Sequence, residues 1–345
     1  MKLPKLEDLG VEGKRVLVRA DLDLKNEELK KQGNEESSNF RLQVLIPTLK
    51  YLIEKKAKII VIGHKGRPGG KKVEDLSLGP VSKLLEELIN KSLPKDLRKN
   101  LDMNMMENLR FNPGEENNDK HYALHLAETA DVYVNEAFAV SHRKHASVVA
   151  LPLQLKSKNS VAVGMRFREE IGNLSKVLDN PKKPIIVVIS GIKEDKLSYL
   201  EPFDKFADKI LVGGRLPEKI GEMPNAKWPM LNDRKVAVAK LLPDKEDITI
   251  HSIEKFEREI EKAGTIVVSG PIGKFEEEGH MQGTERVFKA VANSSAFKVA
   301  GGGETQRAIS LLGLEGKFDW ISVGGGAMLE FLAHGTLPGI EALIN

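Results

Sequence analysis

The feature that most limits what this chain can fold into is a recurring alternation. A short run of β-branched and other apolar residues is followed, again and again, by an amphipathic stretch. In the first half the runs fall at Arg15–Ala20, Lys58–Gly63 and Asp131–Asn135. In the second half they fall at Ile185–Ser190, Lys209–Gly213, Thr265–Ser269, Phe297–Ala300 and Trp320–Val323. Between them, "LQVLIPTLKYLIEKK", "LGPVSKLLEELINK" and "IEKFEREIEKAG" repeat apolar residues at the spacing of a helix that buries one face. Strand alternating with helix predicts an α/β architecture with a mostly parallel sheet covered on both sides.

A chain of 345 residues has room for two such domains. "LPLQLKSKNSV" reads as a polar connection, and "MRFREEIGNLSKVLDN" as one helix that ends before "NPKKP". The expected organisation is therefore two doubly wound, Rossmann-like α/β domains over residues 1–155 and 181–336. A linker and hinge helix over 156–180 joins them. The stretch 25–39, "KNEELKKQGNEESSN", reads as an exposed loop.

In an open parallel sheet, ligands bind outside the carboxyl ends of the strands. In the first half those ends are polar and basic: "RADLD", "GHKGRP" and "NEAFAVSHRKH", with Arg110 from "ENLRF" and Arg41 at the start of "RLQVLIPTL". Convergence of Arg41, His64, Arg67, Arg110 and Arg143 would make a compact polyanion site, because the planar guanidinium holds a carboxylate or phosphate by two bonds. In the second half the ends are rich in glycine: "ISGIK", "VGGRL", "SGPIGKFE", "VAGGGET" and "VGGGAM". Without Cβ the backbone can approach a ligand closely, and a following helix offers free N–H groups to phosphate. An anion-binding domain opposite a nucleotide-binding domain is the layout of a phosphotransferase with a hinge.

Composition excludes several other classes. With 53 basic and 50 acidic residues the net charge is only +3, against a dedicated nucleic-acid binder. There is no cysteine, hence no disulfide framework or thiolate site. The start "MKLPKLEDLG" has no signal-peptide core and no apolar run approaches spanning length, so a cytoplasmic protein is expected. His121, His125, His251, His280 and His334 read as structural. His142 and His145 of "HRKH" lack a third ligand nearby that would make them a zinc site.

These residues carry a family resemblance. In order along the chain stand "RVLVRADLD", "FRLQVLIPTLKYLIEKKAKIIVIGHKGRP", "LSLGPVSKLLEEL", "MENLRFNPGEENND", "ADVYVNEAFAVSHRKHAS", "VVSGPIGKFE", "GTERVFKAVA", "VAGGGET" and "ISVGGGAMLEFLAHGTLPGI". Together they resemble the phosphoglycerate kinase family, which moves a phosphoryl group between 1,3-bisphosphoglycerate and ADP. The resemblance implies that Asp21, Asp23, Arg41, His64, Arg67, Arg110 and Arg143 hold 3-phosphoglycerate. It places Gly191, Lys193, Lys196, Gly214, Gly270, Pro271, Gly302, Gly303, Glu304 and Thr305 around the nucleotide phosphates, and Glu276 on the ribose. Arg41, Lys193, Gly303 and Gly326 would surround the phosphoryl in transit, with Glu304 on Mg²⁺ beside ATP or ADP. It further implies a monomer whose segment 337–345 packs back on the first domain.

Several residues depart from the family pattern. Asp23 stands where the family has asparagine, and Lys193 and Lys196 are three apart rather than four. The stretch 227–251 is short, Ser269 replaces asparagine, Glu304 replaces aspartate, and Val323 replaces threonine. The expected function is reversible phosphoglycerate kinase activity. The alternatives are a divergent relative with altered acid or nucleotide specificity, and a non-catalytic phosphoglycerate- or nucleotide-binding protein.

Overall fold

The structure is a computed structural model that describes residues 1–26, 29, 39–156, 160–222 and 235–344. Most of the expected loop at 25–39 and residues 227–234 of the short segment lie outside the described residues. The chain divides into two compact units, residues 1–171 with 336–345 and residues 172–335.

The first unit is built on a five-stranded sheet of order β3-β2-β1-β4-β5, with β1 at Arg15–Arg19, β2 at Lys58–Ile62, β3 at Met103–Met105, β4 at Val132–Asn135 and β5 at Val161–Val163. All its pairings are parallel. The second unit carries a six-stranded sheet of order β11-β10-β9-β6-β7-β8. Its strands are β6 Ile185–Ile189, β7 Lys209–Val212, β8 Val236–Val238, β9 Thr265–Ser269, β10 Phe297–Gly301 and β11 Trp320–Ser322, again all parallel. Every residue of β6 and β9 is buried, which is why both read as unbroken apolar runs rather than alternating ones.

In each sheet the chain leaves a central strand in one direction and later returns on its other side. The reversal lies between β1 and β4 in the first unit and between β6 and β9 in the second. The carboxyl ends of those four strands are where a crevice opens.

Three differences from expectation concern short or interrupted elements. The strands β3, β5 and β8 have three residues each and lie at sheet edges, too short to show a period. The pattern "LQVLIPTLKYLIEKK" is two helices, Phe40–Gln43 and Ile46–Glu54, because Pro47 has no N–H to extend the first into the second. The presumed connection after residue 150 is core: Leu151, Pro152 and Leu155 are buried in a helix, and β5 then adds to the first sheet. The first unit therefore continues to Ile171, inside the helix Met165–Leu178, rather than ending near residue 155.

That helix starts on side chains from elsewhere in the first unit. The buried Glu136, just past β4, accepts hydrogen bonds from Arg166 N at 3.0 Å and Phe167 N at 2.9 Å, and Thr48 Oγ1 accepts from Met165 N at 2.9 Å. The C-terminal helix Pro338–Ile344 also belongs to the first unit, where Gly339 N donates to Ser141 O at 2.9 Å. A Cβ at Gly339 would lie 2.9 Å from Ser141 Cβ, so the close approach needs glycine.

Candidate functional site

At the carboxyl ends of β1, β2 and β4, the first unit collects a buried cationic cluster. Arg19, the last residue of β1, is fully buried. Its Nε donates to Ser147 Oγ at 2.9 Å, its Nη1 to Ala20 O, and its Nη2 to His64 Nδ1 at 3.0 Å. Arg110 is 2% exposed; Nη1 donates to Gly66 O at 2.7 Å and Nε faces Glu116 at 3.2 Å. Its Nη2 is buried with no hydrogen-bond partner. A buried guanidinium donor left unpaired is costly, and an anion would satisfy it.

The electrostatics show which groups converge. Burial, then the charges of Arg19 and Arg110, then His145 and Arg143, hold His64 well below the ordinary imidazole range. Burial and the same three arginines bring His145 down to about 3. At neutral pH the cluster thus presents permanent arginine charge with two neutral imidazoles.

Of the sequence candidates on this side, His64, Arg110 and Arg143 fall in the cluster. Arg41 Nη1 donates to Asp21 Oδ2, forming an ion pair beside it. Asp23 Oδ1 accepts from Gly66 N at 2.8 Å, and its Oδ2 lies 3.9 Å from His64 Nε2. The added carboxylate at position 23 therefore braces the loop after β2, where Gly66 has φ +63°. Arg67 follows on that loop and is exposed. Sequence reasoning missed Arg19, Glu115 and Ser147, and weighed His145 only as a zinc ligand. The last polar residue of "RVLVR" was the signal for Arg19, since charge at a fully buried strand position needs a partner or a ligand.

In the second unit, Lys196 spans the reversal between β6 and β9. Its Nζ donates to Ser190 O at 2.6 Å and Ser269 O at 3.0 Å. Burial, with Lys193 nearby, lowers it to about 8. The glycines around it leave it room: a Cβ on Gly270 would come 2.8 Å from Nζ and 2.0 Å from Ser190 O, at φ +104°. Gly214 packs on Gly191 in the same way, with a Cβ 2.3 Å from Gly191 N. Lys193, by contrast, is exposed. The two lysines thus differ in setting, Lys196 within the sheet crevice and Lys193 at its surface.

The remaining glycine loops lie against each other. A Cβ on Gly325 would come 2.9 Å from Gly302 Cα, so the starts of the helices Gly303–Leu311 and Gly325–His334 are neighbours. Gly303 and Gly326 stand in their first turns. The Thr305 hydroxyl is committed to the scaffold, accepting from Gly270 N at 2.8 Å and donating to Gly301 O at 2.9 Å. Pro271 O accepts from Ser190 Oγ at 2.6 Å. Glu276 and Glu304 meet at Arg307, 3.2 Å and 3.8 Å from its Nη1, an arginine that sequence reasoning passed over.

A metal here would rest on Glu304, whose carboxylate is half exposed in the first turn of its helix. Among the described residues no group of three or more His, Cys, Asp or Glu could hold a metal ion. One carboxylate with the rest of the shell from phosphate and water fits Mg²⁺, which is commonly held that way. No helix among the described residues is long and apolar enough to cross a membrane.

Known proteins resemble this chain over nearly its whole length. A family model described as phosphoglycerate kinase matches residues 6–222 and 224–335. The chain is 32% identical to the phosphoglycerate kinase of Solibacter usitatus, over 98% of each protein. It is 34% identical to that of Dictyoglomus turgidum, over 98% of this chain and 97% of the relative. Among solved structures, the phosphoglycerate kinase of Pyrococcus horikoshii is similar at a TM-score of 0.81 with 28% identity, covering 98% of both chains. That of Coxiella burnetii is similar at 0.76 with 30% identity, covering 99% of both.

Proposed function

The chain belongs to the phosphoglycerate kinase family, and from that premise we propose how its residues divide the work. The reaction is reversible phosphoryl transfer between 1,3-bisphosphoglycerate and ADP, giving 3-phosphoglycerate and ATP. The observation that carries the reading is the buried cationic cluster with Arg110 Nη2 left unpaired. A small acid bearing both a carboxylate and a phosphate suits several guanidinium groups at once.

In-line phosphoryl transfer asks the protein for positioning and charge stabilisation more than for covalent chemistry. Arg19, His64, Arg110 and Arg143, with Asp21, Asp23 and Arg67, orient the acid. Its carboxylate is ionised at neutral pH and needs no general base. Arg41 and Lys193 neutralise the equatorial oxygens of the moving phosphoryl. The free N–H groups at the starts of Gly303–Leu311 and Gly325–His334, near Gly326, receive phosphate oxygens. Lys196, with Gly191, Gly214, Gly270 and Pro271, lines the phosphate end of the nucleotide, and Glu276 takes the ribose. Mg²⁺, when bound with ATP or ADP, screens phosphate charge, and Glu304 would be its protein ligand.

Substrates held on different units require a closure step, and the helix Met165–Leu178 is the segment proposed to carry it. We read the protein as a cytoplasmic monomer without nucleic-acid or membrane partners. Neither altered specificity nor a non-catalytic role is favoured by the relatives compared above, each of which bears the name phosphoglycerate kinase.

The test is ADP release from ATP with Mg²⁺, with and without 3-phosphoglycerate. Acid-dependent release is expected, and Arg41→Ala should reduce it at least about 100-fold, the usual cost of a lost transition-state donor. Unchanged turnover in a folded Arg41→Ala protein would remove Arg41 from the mechanism.

A further inference from the structure

Behind the cationic cluster, a buried chain of polar contacts joins Arg19 and His64 to Glu115 and Ser147, two residues given no part in the reaction above. Glu115 is fully buried. Its Oε2 accepts from Ser147 N at 2.9 Å and its Oε1 from Ser147 Oγ at 2.6 Å. Ser147 Oγ in turn accepts from Arg19 Nε at 2.9 Å, and Arg19 Nη2 reaches His64 Nδ1 at 3.0 Å. Tyr133 adds a clamp by donating from its hydroxyl to Ser147 O at 2.8 Å.

The direction of every bond in this chain is fixed by chemistry. A guanidinium only donates, so Ser147 Oγ must accept from Arg19 and spend its own proton on Glu115. For the same reason His64 Nδ1 must accept, which leaves the proton of the neutral imidazole on Nε2. Nε2 has Asp23 Oδ2 at 3.9 Å, beyond a hydrogen bond.

We propose that Glu115 and Ser147 are positioning residues for the acid site. Through Arg19 they hold His64 as the tautomer protonated at Nε2, so that Nε2–H is the donor offered to a substrate oxygen. Glu115 also places a buried carboxylate one hydroxyl away from the Arg19 guanidinium at the end of the strand. The inference rests on reading the cluster as the acid site.

Two measurements separate that reading from the inference. Nitrogen-15 spectra of His64 in the full chain are expected to show Nε2 protonated and Nδ1 bare, with no change between about pH 5 and pH 8. A proton on Nδ1 would overturn the relay without any ligand being involved. Calorimetric binding of 3-phosphoglycerate is then compared between the chain, Ser147→Ala and the volume-preserving Glu115→Gln. About tenfold weaker binding with mixed His64 tautomers is expected for each, the scale of one lost charge-assisted bond. Lower unfolding midpoints with unchanged affinity and tautomer would mean that the two residues only support the fold, and the proposal fails. A chain that does not bind 3-phosphoglycerate at all overturns the reading of the site instead.

Discussion

At the scale of single residues, the second unit holds a buried hydroxyl that contributes no hydrogen bond to the fold among the described residues. Ser269 Oγ, at the end of β9, is buried and has no hydrogen-bond partner. Leaving a hydroxyl unpaired costs about 1–3 kcal/mol, whereas removing it costs little. Ser269→Ala should therefore be neutral or stabilising by about 1 kcal/mol in urea unfolding. A loss of more than about 1 kcal/mol would show that the hydroxyl has a partner in solution. The backbone carbonyl of Ser269, not its side chain, is what holds Lys196. This is why the replacement of asparagine there was visible in the sequence while its consequence was not. Side-chain identity is written in the chain, but a carbonyl's partner depends on where a lysine 73 positions away returns. The same holds for Arg19, whose role depends on Ser147 across 128 positions.

At the scale of elements, the start of the helix Met165–Leu178 is the sensitive joint. Glu136 accepts hydrogen bonds there from Thr48, Phe167 and Arg166, and a Cβ at Gly164 would fall 2.1 Å from its Oε2, so the carboxylate's place requires glycine at that position. Burial outweighs these donors and the charge of Arg166 and pushes the carboxyl up to about 7 from an ordinary 4.5. The folded chain then binds more protons than the unfolded one between those values. Stability from this group is fully present below about 4.5 and is lost as pH rises through about 7. Glu136→Gln should abolish that part of the pH dependence, on the order of 3 kcal/mol across the window. Unfolding midpoints measured from acid to neutral pH check it; parallel profiles for the two proteins would sink the idea. The helices Gly79–Ser92, Met165–Leu178 and Ile250–Ile260 and the long strands were legible because each carries enough apolar residues to show its period. The edge strands β3, β5 and β8 were not, since three residues give little period; β11, equally short and at an edge, was read because the glycine run "VGGGAM" marks its end.

At the scale of the whole molecule, membership of the units is itself testable. A ligand that binds one unit stabilises it by RT ln(1 + [L]/Kd), about 2.7 kcal/mol at a hundred times Kd. Amides that exchange only when that unit opens should then slow about 100-fold. 3-Phosphoglycerate should protect β1, β2 and β4, whose ends form the cationic cluster, and a nucleotide should protect β6, β9 and β10. The informative segments are those whose place in sequence and place in the fold disagree. Residues 156–171 read as a linker, and Pro338–Ile344 follows the second unit in the chain, yet β5 pairs with β4 and Gly339 bonds Ser141. Both segments bury apolar side chains in the first unit, so they should open and close with it. Hydrogen exchange should therefore show β5 and the C-terminal helix slowed by the acid and indifferent to the nucleotide. The reverse response would mean that these segments are energetically coupled to residues 172–335, and the division of the chain at Ile171 would have to be redrawn.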